Sequence, residues 1–271
     1  MKLHSCIRAA TVRLIAIPLV SGLIIGGAPG VVSAARPDFS GDYMGAQGLL
    51  GEEAPGGEFG NTPDVENMIT EALRPWARLR MDDTDVAIDD GAAVCEFAGP
   101  FRHTNTYPFT LLQTEEAVYI VPSYLSVVGI IKIHMTDKHP DSSSTRWSGQ
   151  SIGHWEGDTL VVDTTGWNDK TWLGSGAQPH TQELHVIRRI RQVANGSLLE
   201  IQTTVSDRKA LKHPYTYYRY FKKSDREFED LASELLCNGD EGQPEIWWKQ
   251  RQESIEIENA RIQEYLSQQK K

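Results

Sequence analysis

The chain has 271 residues, with 27 Lys and Arg against 37 Asp and Glu and a formal net charge of −10 at pH 7. A surface this acidic repels nucleic acid and anionic lipid, so neither is an expected partner. The length suits one β-rich domain with a substantial core.

Lys2, Arg8 and Arg13, with no acidic residue among them, precede an apolar run from Leu14 to Ile25 and then small residues through Ala35. That is the order of a secretory signal, and cleavage after Ala34 or Ala35 fits the small-residue positions a peptidase reads. The run is broken by Pro18, Gly22, Gly26, Gly27 and Pro29 and falls short of the ~20 residues of a membrane span. Residues 1–34 therefore read as a signal peptide, which predicts a periplasmic or secreted protein with no stable membrane insertion. Its loss leaves 24 basic against 37 acidic residues, a formal charge of −13 with neutral His. Cys6 precedes the apolar run, where it cannot be a lipid attachment site. Cys95 and Cys237 enter an oxidising compartment, where a disulfide between them and a pair of buried free thiols both stay open.

Residues 35–63, rich in Gly, Glu and Pro, show neither period and read as an irregular lead-in. Residues 64–243 form a helix-plus-barrel domain. Asp64 caps a segment with Val65, Met68, Ile69, Ala72, Leu73 and Trp76 at three- and four-residue steps, an amphipathic helix that Pro75 bends or ends. Beyond Cys95 the period falls to two. Strands are expected over 109–113, 117–121, 127–135, 151–155, 159–164, 185–193, 198–205, 215–222 and 227–231, with Asn195-Gly196 the strongest turn signal. A meander this long tends to close on itself. The expected fold is mainly β, an antiparallel up-and-down, lipocalin-like barrel of about eight or more strands able to hold one small ligand. Residues 244–271 are charged and Gln-rich and read as a terminal helix with a frayed tail.

Two blocks stand out, Gly149-Gln-Ser-Ile-Gly-His-Trp-Glu-Gly-Asp-Thr-Leu-Val-Val-Asp-Thr-Thr-Gly-Trp-Asn-Asp-Lys-Thr-Trp172 and Pro179-His-Thr-Gln-Glu-Leu-His185. They resemble the signature of a large family of exported bacterial proteins, G-x-S-I-G-x-W-E-G-D-T-L-V-V-D-T followed by P-H-[ST]-x-x-L-H, closely over residues 147–207 and loosely elsewhere. Gln150 departs from the His or Tyr expected there. The resemblance implies export and a setting of aromatic and plant-derived compounds, and it carries no catalytic assignment.

Asp163 ends the apolar run Leu160-Val-Val, and a carboxylate beside buried apolar surface can act as proton donor or base; a turn cap is the alternative. His180, Glu183 and His185 form a second candidate cluster, read as a hydrogen-bonded His–Glu pair able to act as an oriented base. The same three could hold zinc, but their spacing is generic, so no metal site and no cofactor is assigned. Asp163, His180, Glu183 and His185 are thus the candidate catalytic residues. Trp155, Trp167, Asn168, Asp169, Trp172 and Tyr218 are the candidate ligand-binding residues, because amphipathic aromatics make a pocket for a flat apolar molecule. Glu156 and Asp158 read as hairpin chemistry, and His103, His134, His139 and His213 as solvated or capping histidines. There is no nucleophile elbow, phosphate loop, dinucleotide fingerprint or CxxC pair, so hydrolase, kinase and nicotinamide functions lack support. Three functions remain: a cofactor-independent lyase or isomerase acting on a small aromatic (a lignin-derived phenylpropanoid, say) or terpenoid-like molecule; a periplasmic carrier of the same ligands; and a structural or interaction module.

Overall fold

The computed structural model describes residues 36–45, 64–91, 97–103, 107–123, 129–140, 144–225 and 244–269. The expected signal peptide, Cys95, Cys237 and the strand expected over 227–231 lie outside the described residues. The described residues form nine strands, eight of them with the expected period-two patterning: β1 Gly41–Gly45, β2 Phe109–Gln113, β3 Ala117–Pro122, β4 Ile131–Met135, β5 Gln150–Glu156, β6 Thr159–Thr165, β7 His185–Val193, β8 Leu198–Ser206 and β9 Tyr215–Lys223. They close in sequence order into one barrel, with β1 joined to β9 through Tyr43↔Lys223, Met44↔Lys222 and Gly45↔Phe221.

Two expectations need correction. The lead-in is not wholly irregular, because Gly41–Gly45 supplies the strand that closes the barrel. With a Gly at each end and one buried residue, Tyr43, it has no alternating pattern of its own, and its conformation comes from pairing with β2 and β9. The meander is also not wholly antiparallel, because β4 and β5 run parallel through Ile133↔Ser151, His134↔Ile152 and Met135↔Gly153. Around a closed ring each antiparallel pairing reverses strand direction, so a ring of nine strands needs at least one parallel seam. A parallel pair requires a crossover of roughly a dozen residues or more, here residues 136–149. That crossover is stitched to the segment after β6, where Arg146 N donates to Gly166 O at 2.9 Å and Asn168 N to Arg146 O at 2.8 Å.

The amphipathic helix divides where Pro75 predicts, into α1 Val65–Ala72 and α2 Pro75–Asp83, with Pro75 at the first turn of α2. Asp64 caps α1 by accepting from Asn67 N at 3.4 Å. The short helices α3 Val86–Asp89 and α4 Pro100–His103 follow. The terminal helix is α5 Pro244–Gln268, tied to the second and third helices by Arg80–Glu258 at 2.6 Å and Ser254 Oγ to Asp89 at 2.9 Å. Among the described residues no helix is long and apolar enough to cross a membrane.

Candidate functional site inside the barrel wall

Strand alternation decides which side chains face inward. Leu160 and Val162 on β6, Val186 and Ile190 on β7, Leu199, Ile201 and Val205 on β8, and Tyr215, Tyr217 and Phe221 on β9 are all buried. They divide between two apolar clusters. One gathers Phe39, Phe109, Ile133, Leu160, Ile190 and Phe221; the other gathers Ile69, Leu73, Phe101, Trp167, Val186, Val205 and Tyr217. On the same inward face, between the clusters, the strands carry Ser151, Thr164, Arg188, Thr203 and Arg219. A polar layer thus crosses an otherwise apolar interior.

Ser151 and Thr164 satisfy each other, hydroxyl to hydroxyl at 2.9 Å. Arg188 is different. It is 4% exposed, its register partners are Val162 and Thr203, and its guanidinium lies 5.6 Å from the centre of the Phe101 ring. Among the described residues its Nη2 has no hydrogen-bond partner. Burial lowers its pKa, countered only by the field of Tyr217, but a guanidinium keeps its proton in proteins. Arg219 faces the same layer and is committed elsewhere: it stacks on Tyr217 at 5.3 Å and its Nη1 donates to Tyr218 O at 3.1 Å. The Tyr215 hydroxyl is a second buried polar group without a partner, and burial raises its pKa well above 10.

The opposite parity faces outward and assembles another group. Asp163 Oδ1 lies 2.9 Å from His139 Nε2 and 3.0 Å from His185 Nε2, all three side chains being partly exposed. An ionised carboxylate can only accept, so both rings would present Nε2–H to it. His139, read from sequence as a solvated or capping histidine, arrives on the crossover that the parallel seam requires, and its Nδ1 lies 3.4 Å from Thr165 Oγ1.

The other predicted residues disperse. His180 is 2% exposed; its Nδ1 donates to Thr181 O at 3.0 Å and its Nε2 is 2.7 Å from Thr171 Oγ1. Because a carbonyl only accepts, the Nδ1 tautomer with Nε2 accepting is the one that satisfies both contacts. Burial depresses its pKa, outweighing the Thr181 carbonyl, Asp207 and Asp169. Glu183 pairs with Lys209 at 2.9 Å rather than with His185. His180, Glu183 and His185 therefore form neither the expected dyad nor a shared ligand set. Trp167 is fully buried, stacked on Phe101 at 5.4 Å and edge-on to His180 at 6.1 Å. Asn168 Oδ1 caps Lys170 N at 3.2 Å, Asp169 is exposed, and Trp172 bridges to Pro179. Tyr218 faces outward, accepting from Gln202 Nε2 at 2.5 Å. Trp155 packs on Phe39 at 5.3 Å and borders an open groove of about 600 Å³ with Gly153, His154, Met135 and Asp137.

No family model and no curated protein matches the chain. Among solved structures it is similar to a "REP1-NXSQ fatty acid transporter", at 9% identity and TM-score 0.33, over 69% of this chain and 97% of that one. At that level the likeness says nothing about ligand or activity.

Proposed function

We propose that the chain is an exported binding protein whose barrel takes up one small hydrophobic or aromatic molecule and releases it unchanged. The observation that carries this reading is the polar layer. A barrel filled only for stability would join its two apolar clusters into one, because burying a cation without a partner costs several kcal/mol. Such costs concentrate where a protein meets a ligand. The order of the N-terminal segment and the family-like blocks at 149–172 and 179–185 support export.

Catalysis has one observation in its favour, Asp163 between His139 and His185, since a histidine held by a carboxylate through one nitrogen can act as a base through the other. This cluster lies on the outer wall, on the opposite face from the polar layer. Incubating the purified protein with a mixture of small aromatic and aliphatic molecules, then analysing retained species by native mass spectrometry, tests the reading. Intact ligand recovered from the protein is the expected result. Species of altered mass in solution would replace it with the catalytic reading, and retention of nothing would overturn it.

A further inference from the structure

Arg188 is an unusual resident of a barrel wall. It occupies an inward position between Val186 and Ile190, both fully buried, and opposite Val162 and Thr203 across the two adjoining ladders. Among the described residues no carboxylate forms an ion pair with it, and its Nη2 donates to nothing. What it does touch is a ring face, that of Phe101 on α4, which continues into the Trp167 ring behind it. A ring quadrupole offsets part of the charge but accepts none of the in-plane N–H bonds.

From this geometry, and resting on the interior-binding reading above, we infer that Arg188 is the anchor for a carboxylate on the ligand. A guanidinium offers paired, coplanar N–H donors matched to the two oxygens of a carboxylate, and in a water-poor interior such charge-assisted bonds are the strong ones. The ligand would carry a single negative charge. Among the described residues Arg188 is the cation of the layer with a buried nitrogen that donates to nothing; Arg219 is stacked on Tyr217 and bonded to Tyr218 O, and Glu66 adds negative field around it. A dianionic phosphate would call on a second cation, and Arg219, the other guanidinium of the layer, is already engaged in those two contacts. Thr203, the register partner of Arg188, adds a buried hydroxyl to the same face, and the orphan Tyr215 hydroxyl lies farther along on β9. The apolar clusters on either side suit the rest of an amphipathic acid.

The test compares matched pairs differing only in charge, dodecanoate with 1-dodecanol and cinnamate with cinnamyl alcohol. Affinities are measured by isothermal titration on the wild-type protein and on Arg188→Met and Arg188→Lys, with circular dichroism confirming that each variant is folded. In at least one pair the wild type should bind the acid about tenfold or more tighter than the alcohol. Arg188→Met should erase that preference while keeping alcohol binding, and Arg188→Lys should retain part of it, since an ammonium keeps the charge and loses the fork. Acid and alcohol bound equally by the wild type, or a preference that survives Arg188→Met, overturns the anchor and leaves interior binding standing. If no member of either pair binds, interior binding and the anchor fall together. Should Arg188→Met not fold, Thr203→Val in the same titrations replaces it: a weakened acid preference is expected, and an unchanged one counts against the assigned carboxylate position.

Discussion

Replacing Arg188 by Met in the ligand-free protein should make it more stable. The unbonded Nη2 of a 4% exposed guanidinium represents an unsatisfied donor worth about 1–3 kcal/mol. Against its removal stands the loss of the 5.6 Å contact with Phe101, about 0.5–2 kcal/mol. Met keeps an unbranched chain where the aliphatic stem of Arg lay, so little new cavity opens. The midpoints of the two ranges favour Met by roughly 0.5–1 kcal/mol, which at about 2–4 °C per kcal/mol for a domain of this size raises Tm by about 1–4 °C. Urea denaturation of protein stripped of ligand by unfolding and refolding measures it. Arg191→Met is the contrasting control: Arg191 faces outward and pairs with the buried Glu200 at 2.6 Å, so its loss leaves that carboxylate without its counter-ion and should destabilise the protein. If Arg188→Met lost more than about 1 kcal/mol instead, the guanidinium would have a partner within the protein, and the reasoning from an unsatisfied cation would be wrong.

Gly149 has φ +66, and a Cβ there would lie 2.8 Å from Thr165 O and 2.9 Å from Trp167 Cε2, so Gly149→Ala should cost about 2–4 kcal/mol by urea denaturation. Gly157→Ala, at φ +63 with nothing within 4 Å, should cost only about 1 kcal/mol. Asp207 accepts from Thr181 N at 2.6 Å and from Lys209 N and Ala210 N at 2.9 Å, so Asp207→Ala should lower stability by about 3–5 kcal/mol in the same assay. His180 has a folded pKa below its usual 6.5, so the unfolded chain binds its proton first. Its neutral form therefore supports the fold above pH 6.5, and stability should fall as pH drops below that, by at most about 1.4 kcal/mol per unit down to the folded pKa. Tm measured from pH 8 to 5 should show that slope in the wild type and a shallower one in His180→Gln.

The barrel was legible because β2 through β9 announce themselves by alternation and turn residues, whereas Gly41–Gly45 does not, its conformation being imposed by neighbours distant in sequence. The parallel seam was hidden for a related reason: parity of strand number belongs to the closed ring and to no local stretch of chain. Arg188 and Arg219 were within reach. Along His185-Val-Ile-Arg-Arg-Ile-Arg, Arg188 shares its parity with Val186 and Ile190, and Arg219 shares its own with Tyr217 and Phe221, so each is a charge on an apolar face. His180 and Glu183 carry acid–base side chains in the sequence, but only tertiary placement shows one buried beside the Thr171 hydroxyl and the other paired with Lys209. Asp163 and His185 did meet, through the register that sets β6 beside β7. Their third member, His139, sits in the crossover whose path no periodicity encodes.

The bonding of β1 to both β2 and β9 makes the earliest strand of the chain the keystone of the latest pairing. The pairing of Tyr43 with Lys223 joins residues near opposite ends of the barrel sequence, so closure is a long-range event, slow by its nature, and an unclosed sheet presents open edges. This end of the chain therefore has a sharp positional tolerance. A terminus near Ala34 keeps Phe39 and the strand intact, whereas one beyond Gly45 would leave a sheet that cannot become a ring.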